Sequence, residues 1–119
     1  MALRIDIRET PAAAILDLHG RITVGEPIAE LRDTIREVLA GSQKNILLNL
    51  AEISYIDSSG LGQLIGSNAT VVNAGGRMKL LNLQNRVQDL MQITKLLTAF
   101  DTYTSETAAL RSFATTGSK

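Results

Sequence analysis

The hydrophobic pattern of this chain switches repeatedly between a period of two and a period of about 3.6 residues, which confines it to an α/β architecture. Leu3, Ile5 and Ile7 alternate with Arg4, Asp6 and Arg8, and Ala14, Leu16 and Leu18 alternate with Ile15, Asp17 and His19. Thr10-Pro11 separates the two runs, so they read as an antiparallel hairpin ending at Gly20. From Ile28 the period lengthens. Ile28, Leu31, Ile35, Val38 and Leu39 share one helical face, and Gly41 stops it. Thr23 and Glu26 have capping-box spacing, and Pro27 suits a first turn, two signals that start the helix at slightly different places.

The run Ile46-Leu47-Leu48-Asn49-Leu50 is almost continuously apolar, as expected of a central strand covered on both faces. Leu61, Leu64, Ile65 and Val72 return to helical spacing, which Asn73-Ala74-Gly75-Gly76 breaks as a turn. Met78, Leu80, Leu81 and Leu83 predict a strand, and Val87, Leu90, Met91 and Leu97 a third helix after Asn85. A brief strand near Phe100 to Tyr103 and a helix from Ser105, with Ala109, Leu110 and Phe113 on its apolar face, complete the order β-β-α-β-α-β-α-β-α. Strands linked by helices argue for a mostly parallel sheet, to which the hairpin adds an antiparallel member, so the sheet is mixed. The expected organisation is one domain over residues 1–114 with a frayed tail at 115–119.

The segment Asp57-Ser58-Ser59-Gly60-Leu61-Gly62 falls between the central strand and the second helix. Asp57 or Ser58 suits the N-cap. Glycine in a first turn costs helix stability by about 0.5–1 kcal/mol each, so Gly60 and Gly62 are read as leaving the helix start open to another molecule. A phosphate on Ser58 would meet the positive end of the helix dipole and add negative charge without disturbing the fold.

This segment resembles the signature of the STAS family, named for sulfate transporters and anti-sigma-factor antagonists. The likeness spans nearly the whole chain: the hairpin ending at Gly20, Ile46 to Leu50, Ile56 to Gly62, the Gly75-Gly76 pair and Leu80. It implies an anti-sigma-factor antagonist with Ser58 as phosphoacceptor, Ser59 as the second candidate, and Asp57, Ser58, Ser59, Gly60, Leu61 and Gly62 as partner contacts. It further implies two protein partners, a serine kinase that is itself the anti-sigma factor and a metal-dependent serine phosphatase. The unphosphorylated protein would hold the kinase and release sigma; phosphorylation would end that complex. Two stretches depart from the family pattern. Gly20-Arg21-Ile22-Thr23 lacks an acidic residue common there, and Thr94-Lys95 stands where relatives often have glycine.

Other classes are poorly supported. Twelve basic residues balance twelve acidic ones and aromatics total 3%, so nucleic acid finds neither a positive field nor a stacking platform. With no cysteine and a single histidine, His19, no metal site is expected. A Ser58–His19–Asp triad lacks the Gly-x-Ser-x-Gly elbow, and no Walker-type loop offers a nucleotide site, so neither an enzyme nor a bound cofactor is expected. Met-Ala-Leu-Arg-Ile-Asp is not a secretory signal and no apolar run approaches the length of a membrane span, which points to the cytoplasm. The alternative to a phosphorylated switch is a constitutive STAS subunit of a transporter or signalling scaffold; Ser58 favours the switch.

Overall fold

Five strands line up in the order β1-β2-β3-β4-β5, with β1 antiparallel to β2 and every later neighbour parallel. The structure, a computed structural model, describes residues 3–117, with side chains through Ala114. Along the chain these are β1 (Arg4–Glu9), β2 (Ala14–Ile22), α1 (Glu26–Ala40), β3 (Ile46–Ile56), α2 (Ser58–Asn73), β4 (Met78–Leu81), α3 (Asn85–Ile93), a 3-10 turn (Leu97–Ala99), β5 (Thr102–Tyr103) and α4 (Glu106–Gly117). The expected order is present. Helix α4 runs past Ala114 into the segment expected to fray, whose last two residues, 118–119, lie outside the described residues.

The sheet has two unequal apolar faces. On the larger, Leu16, Leu18, Leu48, Leu50 and Leu80 pack with Leu31 and Ile35 of α1, Leu61, Leu64 and Val71 of α2, and Val87 and Met91 of α3. On the smaller, Ile15, Leu47 and Leu81 meet Ala109 and Phe113 of α4. Ile15 is therefore core rather than the outward partner of an alternating strand. Lys79 joins this smaller face although it is a cation. Its side chain is 2% exposed, and its Nζ donates to Ser112 Oγ at 3.0 Å and lies 4.8 Å from the Phe113 ring centroid.

Several boundaries move for local reasons. Strand β2 does not end at Gly20 but continues to Ile22, and β3 continues to Ile56, because Gly20, Arg21 and Ile22 pair with Ile53, Tyr55 and Ile56 across two register shifts. The Thr23–Glu26 capping box is not formed. Helix α1 starts at Glu26 with Gly25 as N-cap at φ 103°, a conformation open to glycine. The buried stripe of α2 is Gly60, Leu61, Leu64, Ser67 and Val71, which leaves Ile65 and Val72 outside rather than in the core. Leu97 sits in the 3-10 turn and not in α3. That helix ends in a Schellman motif, with Leu96 N–H on the Met91 carbonyl at 2.8 Å and Lys95 N–H on the Gln92 carbonyl at 3.0 Å. Lys95 carries the left-handed φ of 63°.

Candidate functional site

Asp57 is the first residue after β3, in extended conformation, and it caps α2. Its carboxylate works in two directions. Oδ1 accepts the Gly60 N–H at 2.7 Å, and Oδ2 accepts the Val24 N–H at 2.9 Å. The main chain repeats the link, because Asp57 N–H donates to the Ile22 carbonyl at 3.3 Å. One side chain thus ties the turn after β3 to the turn after β2. The amides of Val24 and then Gly60 hold the Asp57 carboxyl below its ordinary pKa, so it is a carboxylate at neutral pH.

With Asp57 as cap, Ser58 becomes the first helical residue and its hydroxyl is released from capping. Ser58 and Ser59 are both exposed, and among the described residues neither hydroxyl is in a hydrogen bond. The six residues expected at a partner surface divide by orientation. Ser58, Ser59 and Gly62 are exposed and Asp57 partly so, whereas Gly60 and Leu61 face inward.

The two glycines therefore have different causes. A Cβ on Gly60 would lie 2.1 Å from the Ile22 carbonyl oxygen and 2.8 Å from Ile56 Cγ2, so this glycine lets α2 close against β2 and β3. Its absent side chain serves internal packing, not an incoming molecule. A Cβ on Gly62 would meet nothing within 4 Å. Only Gly62 matches the expectation of an open helix start.

Two surface features were not visible from the motif. The loop Thr23-Val24-Gly25, which follows the departure at Arg21 to Thr23, is brought beside Asp57, and Val24 stands 70% exposed there. A second feature is a groove of about 450 Å³ between the end of β3 and α3, lined by Tyr55, Ile56, Val87, Leu90 and Ile93 with Arg86 and Asp89. Helix α2 itself bears no Asp, Glu, Lys, Arg or His, although Ile65 and Val72 are exposed along it.

The other chemistries considered do not converge on Ser58. His19 Nε2 lies 3.3 Å from Asp6 on the hairpin. Among the described residues, no group of three or more His, Cys, Asp or Glu is placed to hold a metal, and no helix is long and apolar enough to cross a membrane.

The STAS domain profile matches residues 4–109, taking in every strand and the start of α4. This chain belongs to the STAS domain family. Within that family it is 31% identical over 102 residues to the anti-sigma-B factor antagonist of Bacillus subtilis strain 168, a match covering 85% of this chain and 91% of the relative. The STAS fold recurs in a crystal structure of an anti-sigma factor antagonist from Mycobacterium paratuberculosis, at TM-score 0.81 and 17% identity over 94% of each chain. It recurs in the Bacillus antagonist SpoIIAA. The unphosphorylated form superposes at TM-score 0.76 and 23% identity, covering 93% of this chain and 97% of that one. The phosphorylated form superposes at TM-score 0.69 and 22% identity, covering 91% and 97%.

Proposed function

We propose that this chain is an anti-sigma-factor antagonist whose binding to its anti-sigma factor is switched off by phosphorylation of Ser58. The observation that carries the reading is the free, exposed hydroxyl of Ser58 at the first position of α2, placed there because Asp57 takes over the cap. The antagonist named for Bacillus subtilis and the phosphorylated state named for SpoIIAA support it from outside the chain.

In the proposed step the partner is a serine kinase. Ser58 Oγ attacks the γ-phosphorus of ATP, the bond to the β-phosphate oxygen breaks, ADP leaves, and the hydroxyl proton passes to a base on the kinase. The product is a dianionic monoester at the positive end of a 16-residue helix, beside the Asp57 carboxylate. Gly60 N–H is already spent on Asp57. Ser58 is exposed, so the phosphate would stand at the surface where a docked partner meets it. Its charge is placed among exposed apolar groups, Val24 and the uncharged face of α2, so a complex that buries them loses affinity. A metal-dependent serine phosphatase would reset the cycle.

Incubation with the cognate kinase and ATP is expected to add one phosphate, mapped by tandem mass spectrometry to Ser58 and abolished by Ser58→Ala. Ser58→Asp is expected to weaken kinase binding at an unchanged thermal midpoint. Transfer to Ser59 alone, or retention of full kinase affinity by the phosphoprotein, overturns the reading.

A further inference from the structure

Strand β1 ends the sheet, six residues long, and among the described residues nothing pairs with its outer side. The opposite end is closed by β5, only two residues long. An open edge of six residues is a template for another strand unless its side chains forbid pairing. Here Arg4, Asp6 and Arg8 alternate in sign on one face, while Leu3, Ile5 and Ile7 lie on the other, and Ile7 is 44% exposed. We propose that β1 pairs antiparallel with β1 of a second copy of this chain, about a two-fold axis through Ile5, joining two sheets into one.

The axis is chosen by charge. In an antiparallel pair about Ile5, Arg4 of each copy faces Asp6 of the other, Ile5 faces Ile5, and Leu3 faces Ile7, which covers the exposed isoleucine. An axis through Asp6 would set Asp6 against Asp6 and Arg4 against Arg8, opposing like charges at every pair on the charged face. An axis through Ile7 would ask Arg8 to face Asp6 of the other copy and put Glu9 against Ile5. Arg8 is not available for that, since its Nε lies 2.6 Å from Asp17 and its NH2 2.8 Å from Glu106. Arg4 and Asp6 are held less firmly. Their own contact is 3.4 Å and Asp6 also lies 3.3 Å from His19 Nε2, but the Arg4 and Asp6 side chains are both largely exposed, so each can turn to the other copy. The interface is isologous and consumes the one long edge, so it closes at a dimer instead of growing into a fibre. Strand β2 lies between the paired edge and β3, the strand that leads into Ser58.

Sedimentation velocity over micromolar to millimolar protein tests this on the whole chain. The wild type is expected to shift from monomer to dimer with concentration. Arg4→Asp and Asp6→Arg are each expected to raise the dimer Kd roughly ten-fold, because the altered pair occurs twice per dimer, and the double variant R4D/D6R to return it to within roughly three-fold of wild type. The chain has no cysteine, so single replacements report the register. Ile5→Cys is expected to form a disulfide-linked dimer on oxidation, and Ile7→Cys, which faces Leu3 of the other copy, to form little. A monomer at all concentrations, a dimer indifferent to both charge reversals, or preferential cross-linking through Ile7→Cys overturns the proposal.

Discussion

The Asp57 carboxylate accepts the N–H of Val24, 33 residues earlier in the chain, at 2.9 Å. Through that bond the turn after β2 is tied to the start of α2, and Ser58 follows the tie with its hydroxyl unspent. A cap usually serves its own helix; this one also fixes a neighbouring loop. The consequences can be measured.

Removing the carboxylate removes a cap and a loop tie together. Asp57→Ala is expected to lower stability by about 1–2 kcal/mol, the usual loss at an N-cap, read from the denaturant midpoint at unchanged slope. The pH dependence has a definite sign. Asp57 and Asp17 both have folded pKa values below the unfolded value, Asp57 through the Val24 and Gly60 amides and Asp17 through the Arg8 guanidinium. Each contributes stability that is complete above about pH 4 and is lost as pH falls through the lower folded value. Thermal midpoints measured from neutral pH downward should therefore fall on the acid side, and less steeply in Asp57→Asn.

Gly60 and Gly62, two residues apart, are expected to respond oppositely to the same substitution. Gly60→Ala drives a methyl into the Ile22 carbonyl and Ile56, and is expected to cost about 2–3 kcal/mol. Gly62→Ala has free space and is expected to stabilise α2 by about 0.5–1 kcal/mol. Chemical denaturation of the two variants checks this. The same Gly62→Ala protein should bind the kinase more weakly, since the added methyl lies on the exposed side of the helix start.

Lys95 occupies the left-handed position that closes α3, with φ 63°. A side chain with a Cβ is disfavoured there by about 1 kcal/mol, and glycine is the usual occupant. Lys95→Gly is expected to raise stability by about 0.5–1 kcal/mol, the gain in α3 being offset in part by the freer unfolded chain. Hydrogen exchange at the Leu96 amide, which bonds to Met91, should slow in the variant.

The buried lysine of β4 separates charge from volume. Lys79→Ala leaves a void beside Phe113 and is expected to cost about 2–4 kcal/mol. Lys79→Met keeps the length of the chain and removes a buried cation, and is expected to stay within about 1 kcal/mol of wild type. The Ser112 hydroxyl donates to the Ala109 carbonyl at 2.6 Å, a bond that does not involve Lys79 and is expected to persist in both variants. Thermal unfolding of the pair decides whether α4 is held by packing or by charge.

How much of this was legible follows from the range of each interaction. Periodicity is local, so the order of strands and helices, the hairpin around Thr10-Pro11 and the turn at Gly75-Gly76 could be read directly. At that turn the Schellman bonds, Gly76 N–H to the Val71 carbonyl and Gly75 N–H to the Val72 carbonyl, are both 3.0 Å. The site motif was legible as a position: Ser58 at the mouth of α2, with Asp57 as one of two candidate caps. What could not be read is what meets what. Lys79 sits within Met78-Lys79-Leu80-Leu81, and a strand pattern alone makes it an outward charge until α4 packs over that face.

The sequence by itself determined the α/β order, the STAS signature and the place of Ser58, because each is encoded in spacing between neighbours along the chain. The tertiary structure alone decided which cap candidate serves and why Gly60 must be glycine. It also decided that the Val24 loop stands beside Ser58. Those outcomes depend on contacts between residues more than thirty positions apart, such as Asp57 with Val24 and Gly60 with Ile22. Only the parallel pairing of β2 with β3 brings such partners within reach of a hydrogen bond or a methyl group.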